Sequence, residues 1–186
     1  METSKPIEVL SKILKCSIWL EEKTAELYFK ISKRLQDLYT SGLLRIIAHQ
    51  SKSHAEMLKW IMINTVGNRN RSSRIDCMKM TGEVGEITYA IIKNIERRKQ
   101  LELSDLNEIL CKLEFIEKGI GEETYSKILL PLINATLEQT ETPRATLEIA
   151  GEMIQTIIRE EELHESLVKT IKQRTSEYDA RANPSS

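Results

Sequence analysis

The sequence has little of what β-rich proteins and small metal-ribbon proteins require. Its 186 residues include only 7 glycines and 4 prolines, and aromatic residues make up 5%. This scarcity argues against an all-β protein and favours long helices. The three cysteines, Cys16, Cys77 and Cys111, form no CxxC pair, which excludes a rubredoxin-like iron site and a zinc ribbon. We therefore expect three reduced thiols.

An excess of charge of one sign and long apolar runs are also lacking. The formal net charge is −1, so no overall field favours nucleic acid or a membrane surface. No stretch approaches the ~18 consecutive apolar residues of a transmembrane helix. The first ten residues, METSKPIEVL, contain no continuous apolar run typical of a signal peptide. These absences predict a cytoplasmic protein that binds neither nucleic acid nor membranes.

Helix start and stop signals divide the chain into four long helices and one connecting helix. The predicted bounds are about 4–39, 43–66, 82–100, 104–137 and 142–178. Thr40-Ser41-Gly42 is interpreted as the break after the first helix, Gly67 as the residue that ends the second, and Ser104 as the cap of the fourth. Residues 68–74 are predicted to form a polar loop. This pattern predicts one all-α domain, residues 1–178, with a flexible tail at 179–186. Its architecture is a four-helix bundle whose long crossover contains the extra helix.

The core-facing stripe of each long helix is apolar except near its middle. Alternating steps of three and four residues define these stripes, which also place Leu38, Ser51 and Thr124 in the core. The interrupting ionisable residues are Glu21, His54, Glu117, Glu161 and His164. Mid-helix positions of a bundle meet at one level, so we expect a single layer of three carboxylates and two imidazoles. A divalent metal is the usual means of stabilising such a layer, and these ligands suit iron, manganese or zinc.

Three segments resemble the ligand motifs of one family. These are WLEEKTAELY (19–28), IAHQSKSHAEML (47–58) and EELHESL (161–167). They resemble the ferritin-like di-iron carboxylate proteins, and within them the rubrerythrin-like branch. In that family's first-helix motif the ligand glutamate precedes a tyrosine by seven residues, as Glu21 precedes Tyr28. Tyr28 is then either a packed core residue or a donor to a metal-bound glutamate. The ExxH pair of Glu161 and His164 is the most specific part of the resemblance.

The chain departs from the family pattern at two places. The second bridging glutamate of the family falls on Ser51, so Ser51→Glu is expected to raise the metal content. Tyr125 follows Glu117 by eight residues instead of seven, and Glu114 could substitute for Glu117 or assist it. Three alternatives follow. They are a two-metal site completed by water, Glu114 or another carboxylate; a single-metal or weak site around Glu161; and a layer held by hydrogen bonds without metal.

The resemblance implies a metal-binding protein, with iron as the expected metal and one or two ions per chain. It implies an oxidoreductase that acts on dioxygen, peroxide or ferrous iron, although the loss of a bridging glutamate weakens this expectation. The alternative is a non-catalytic helical bundle that has lost the metal and acts as an interaction or structural module. A homodimer is compatible with both.

Overall fold

The computed structural model describes residues 4–67, 76–103, 105–137 and 142–182. Within these residues every regular element is helical, and the isolated bridge between Leu35 and Leu101 is the only extended pairing. The all-α prediction is therefore confirmed. The elements are α1 (Ser4–Ser32), α2 (Leu38–Thr65), α3 (Cys77–Met80), α4 (Gly82–Glu96), α5 (Leu106–Lys118), a π-helical segment (Gly119–Leu129), α6 (Leu130–Leu137) and α7 (Arg144–Ala182). The predicted loop at 68–74, the Ser104 cap and the end of the predicted tail lie outside the described residues.

The break between α1 and α2 lies earlier than predicted. Thr40-Ser41-Gly42 does not end a helix, because α2 already begins at Leu38. The carboxylate of Asp37 accepts a hydrogen bond from the Thr40 backbone N–H at 2.8 Å, which caps the first turn of α2. A single glycine costs a helix only about 1 kcal/mol. This cap and the packing of α2 outweigh that cost.

The earlier break also corrects one predicted core residue. Leu38 was placed on the buried stripe of a first helix that continued to residue 39. In the structure Leu38 is the first residue of α2 and is 86% exposed. The stripe of α1 ends where that helix ends, so its three- and four-residue steps no longer apply at Leu38.

The expectation of three reduced thiols is wrong for one pair. Cys16 on α1 and Cys77 on α3 form a disulfide, with their Cα atoms 4.9 Å apart. This distance is within the usual range for a disulfide. The pairing could not be predicted because connectivity cannot be deduced from cysteine spacing alone. Cys111 is free and exposed.

Helix α1 packs along α2 in the antiparallel direction. Residues later in α1 contact residues earlier in α2, as shown by the edge contact of Phe29 with His49 and the ion pair of Glu22 with Lys59 at 2.9 Å. Helix α7 packs against α5, the π segment and α2, while α4 packs against α1. Among the described residues, no helix combines the length and apolar character needed to cross a membrane.

The helices enclose an apolar core that surrounds the predicted polar layer. The predicted stripe residues of α7 are all buried, from Leu147 to Ile171. The same is true of the α2 stripe from Leu44 to Ile61. Helical periodicity therefore placed the polar layer at the correct depth within these two helices.

Candidate metal centre

All five predicted site residues are buried and lie together. Glu21, His54 and His164 are 0% exposed, Glu117 is 1% and Glu161 is 2% exposed. They come from four segments of the chain, α1, α2, α5 and α7. The two imidazole rings stack with centroids 5.6 Å apart.

The five residues form two adjoining groups that share one carboxylate. The first group contains Glu21, His54 and Glu161, and the second contains Glu117, Glu161 and His164. Within each group one potential ligand atom per residue lies within 4.8 Å of the others. Each group offers two carboxylates and one imidazole, a donor set that suits iron, manganese or zinc.

The two histidines are held by partners on the outer side of the layer. His54 Nε2 lies 2.6 Å from Glu160 Oε2, and His164 Nε2 lies 3.1 Å from Gln50 Oε1. Both partner atoms are acceptors, so each Nε2–H is the donor. When the ring is neutral, this hydrogen bond leaves the Nδ1 lone pair directed away from Nε2 and available to a metal.

Two glutamates are held by tyrosines in a reciprocal arrangement. Tyr28 on α1 donates its hydroxyl hydrogen bond to Glu117 Oε1, and Tyr125 in the π segment donates to Glu21 Oε1 at 2.5 Å. Helix α1 thus supplies Glu21 and Tyr28, the continuous helix of α5 and the π segment supplies Glu117 and Tyr125, and each tyrosine binds the glutamate of the other helix. Burial, together with the adjacent glutamates, raises the pKa of both tyrosine hydroxyls well above 10, so both remain donors.

The π-helical segment explains the irregular spacing of Tyr125. An α-helix brings residues seven apart to the same face, as with Glu21 and Tyr28. Glu117 and Tyr125 are eight positions apart. The backbone that follows Glu117 has the i→i+5 hydrogen bonds of a π-helix, whose wider turns accommodate the extra residue. Tyr125 is consequently 0% exposed, whereas Thr124, which was predicted to face the core, is only half-buried.

The atoms not held by these outer partners have no hydrogen bond. The unpartnered buried atoms are Glu21 Oε2, His54 Nδ1, Glu117 Oε2, both carboxylate oxygens of Glu161, and His164 Nδ1. Leaving one buried polar atom unsatisfied costs about 1–3 kcal/mol. Every residue of the layer therefore has at least one atom available to a cation.

Electrostatics in the layer are dominated by its three carboxylates. Burial alone would lower the pKa of the two imidazoles, but the carboxylates beside them outweigh burial. The pKa of His54 rises to about 11 and that of His164 to about 10. Burial and repulsion from Glu161 raise the pKa of Glu117 to about 7. The layer therefore attracts positive charge, either protons on the imidazoles or a metal ion.

A close approach of two backbones places Glu161 between the two groups. A Cβ atom built on Gly121 would lie 2.8 Å from Cβ of Glu161. Carbon atoms in van der Waals contact are about 3.5–4.0 Å apart. Only glycine allows the π segment to lie this close to α7 at Glu161.

Ser51 and Glu114 differ in their relation to the layer. Ser51 is 1% exposed, lies one turn before His54 on the buried face of α2, and its Oγ has no hydrogen-bond partner. Glu114 belongs to neither group of potential ligands, since its carboxylate lies 3.0 Å from Lys172 Nζ at the surface. The structure thus does not bring Glu114 together with the other five, and its role in place of Glu117 or beside it stays a prediction.

Two outer partners were missed by the reasoning from sequence. Gln50 and Glu160 lie one residue away from stripe positions 51 and 161, and a step of one residue turns a side chain by about 100°. Neither side chain therefore lies on the core-facing stripe, and the stripes alone do not identify them. The available signal is a polar side chain directly beside the buried polar positions Ser51 and Glu161.

Comparison of the chain with protein-family models, with curated proteins and with solved structures found no match.

Proposed function

We propose that this chain is a ferritin-like, rubrerythrin-like metal-binding protein that holds a pair of iron ions. The ligands are Glu21, His54, Glu117, Glu161 and His164, with Glu161 shared by both ions. The proposed architecture is a four-helix bundle of α1, α2, the continuous α5–π–α6 segment and α7. In it, α3 and α4 belong to the crossover between the second and third bundle helices.

One observation carries the proposal. Four of the five residues have one side-chain atom held by an outer partner and a second buried atom without a hydrogen bond, and neither oxygen of the fifth, Glu161, has a hydrogen bond. The inner atoms have only the other candidate ligands as charged neighbours, as in the 2.9 Å pair of His54 Nδ1 and Glu161 Oε1. Metal ligands have this arrangement, because a hydrogen bond on the far side fixes their orientation and, for a histidine that donates to an acceptor, increases its basicity. A layer designed only for hydrogen bonding would be expected to satisfy its inner atoms as well.

Each outer partner has a definite role in such a centre. The tyrosine hydroxyls leave one oxygen of Glu21 and of Glu117 free, while Glu160 and Gln50 keep the proton of each imidazole on Nε2. Bound iron would supply electron transfer to dioxygen or peroxide, or ferrous iron would itself be the substrate. The protein's own residues orient the ligands and exclude bulk water from the layer.

The number of metal ions tests the proposal directly. Protein purified without chelator is analysed for transition metals, and anomalous scattering locates them. We expect two ions per chain, fewer in Glu21→Gln, which alters one group, and none in Glu161→Gln, which alters both. Glu152→Gln on the exposed face of α7 is the matched control and should leave the content unchanged. Equal losses in all three variants would contradict the assignment of the ligands.

A second candidate is a non-catalytic helical module whose layer holds no metal. Close pairs between the imidazoles and carboxylates favour it. His54 Nδ1 lies 2.9 Å from Glu161 Oε1, and His164 Nδ1 lies 3.3 Å from Glu117 Oε2. Two protonated imidazoles would offset most of the charge of three carboxylates. In that case purified protein contains no metal, and its melting temperature is the same with and without chelator.

A further inference from the structure

A cavity of about 180 Å³ lies between the π segment and α7 and reaches the candidate centre. Its lining includes two of the five site residues, Glu117 and Glu161. The remaining lining residues are Lys118, Gly121, Glu122, Ser126, Ile158, Glu162 and Glu165. Two larger cavities, of about 550 and 310 Å³, are lined by none of the five.

The inner end of this cavity is lined by two buried carboxylates. Glu117 and Glu161 are 1% and 2% exposed, and each has one oxygen beside an imidazole: Glu117 Oε2 lies 3.3 Å from His164 Nδ1, and Glu161 Oε1 lies 2.9 Å from His54 Nδ1. Glu161 Oε2 has neither a hydrogen bond nor an ion pair within the described residues. A carboxylate oxygen that is ionised can only accept, so these atoms require a proton donor or a cation. The cavity therefore leads from solvent to groups that are suited to positive charge.

The outer end contains three glutamates, of which one is not paired with a lysine. Glu122 lies 3.4 Å from Lys127 and 3.8 Å from Lys118, and Glu165 lies 2.6 Å from Lys169. Glu162 has no ion pair or hydrogen bond within the described part of the chain, so its carboxylate is available to an incoming ion.

We infer that this cavity is the route by which a divalent cation reaches the centre, with Glu162 and Glu165 at its mouth. The inference rests on the proposed function, since it supplies the access that a buried metal centre needs. An exposed carboxylate at the entrance, such as that of Glu162, raises the local concentration of cations and their rate of association, by about 10-fold at the low end of the range for charged clefts.

The first experiment removes the charge at the mouth. Metal-free protein is mixed with Co²⁺ in a stopped-flow instrument, and visible absorption follows uptake while elemental analysis gives the final content. The variant Glu162→Gln/Glu165→Gln should load about tenfold more slowly and reach the same final content. Raising the salt concentration should slow the parent and have less effect on the variant, because salt screens exposed charges.

The matched control removes equal charge from the same helix. Glu148→Gln/Glu152→Gln also deletes two glutamates of α7, one of them paired with a basic residue four positions away, Arg144, as Glu165 is with Lys169. Neither control position lines the cavity. This variant should load at the parent's rate.

A second variant blocks the opening without changing charge. Ser126 is exposed and lines the cavity, so Ser126→Phe should narrow it and slow uptake. Ser166→Phe, on an exposed face of α7 outside the lining, is its control. Circular dichroism establishes that both variants retain the parent's helical content.

The outcomes separate the route from the centre. Slower uptake in both mouth variants, with an unchanged final content, supports the route. Uptake as fast as the parent's in both overturns the route and leaves the proposed centre intact. A parent chain that takes up no Co²⁺ overturns the centre and the route together.

Discussion

Gly121→Ala tests the close approach that places Glu161 between the two groups. The backbone of Gly121 does not have a positive φ, so alanine introduces no strain of its own there. The added Cβ would lie 2.8 Å from Cβ of Glu161 and 3.5 Å from its Cγ. Restoring an ordinary carbon–carbon contact requires the π segment and α7 to separate by roughly 0.7–1.2 Å.

Two opposing effects determine the change in stability. Overpacking of this kind costs about 1–3 kcal/mol. Replacing a helical glycine by alanine contributes about 0.5–1 kcal/mol of stability, because glycine loses more backbone freedom on folding. We therefore expect Gly121→Ala to lower the free energy of unfolding by up to about 2 kcal/mol. It should also lower the metal content, because Glu161 belongs to both groups.

Gly151→Ala on α7 isolates the clash from the backbone effect. A Cβ atom at Gly151 would have no neighbour within 4 Å, so this variant should be stabilised by the reduced backbone freedom of alanine and should introduce no clash. The two variants should differ by about 1–3 kcal/mol, which corresponds to roughly 2–12 °C in melting temperature for a chain of this size. Thermal and urea unfolding, followed by circular dichroism, measure the difference. If Gly121→Ala were as stable as Gly151→Ala and kept its metal, the close approach to Glu161 would be refuted.

Three further predictions concern the ligands, the disulfide and pH. His164→Ala should abolish metal binding, so that a chelator lowers the melting temperature of the parent but not of the variant; a parent unaffected by chelator would indicate a layer without metal. Cys16→Ser/Cys77→Ser removes a crosslink across 61 residues and should cost about 2–4 kcal/mol in urea unfolding; an unchanged midpoint would mean that the bridge does not form. In the presence of chelator, folding raises the pKa of Glu117 from 4.5 to about 7 and that of His54 from 6.5 to about 11, so the folded state binds more protons than the unfolded state. The stabilisation that these two groups contribute should therefore be lost as the pH rises from about 5 to about 10. Melting temperatures that rise over this range would contradict the assigned shifts.

Periodicity predicted the five central residues because burial imposes a strict spacing on a helix. A side chain that faces the core returns to that face every three or four residues, whatever its chemistry. Glu161 and His164 could therefore be placed beside Ile157 and Val168 without knowledge of the fold, and all four are buried. The rule depends on regular α-helix, so it failed at Leu38, which follows a break, and at Thr124, inside the π segment.

Contacts that depend on the relative position of two helices could not be predicted from the sequence. The hydrogen bonds of Glu160 to His54 and of Gln50 to His164 each join residues more than a hundred positions apart. The helix that contains Glu160 shows only that this side chain lies off the buried stripe. Its partner depends on how α7 is rotated against α2, which is determined by packing throughout the core.

The π segment has a consequence for how the length of this helix can vary. One extra residue in a regular α-helix would turn everything after it by about 100° and carry a buried face to solvent. Here the surplus residue between Glu117 and Tyr125 is absorbed locally, and Leu129 and Ile133 beyond it are still buried. The rotation that an extra residue would impose on the rest of the helix is therefore confined to the π segment, Gly119–Leu129. A search pattern that requires the tyrosine to follow the glutamate by seven positions would reject this helix, although both side chains still belong to the same layer.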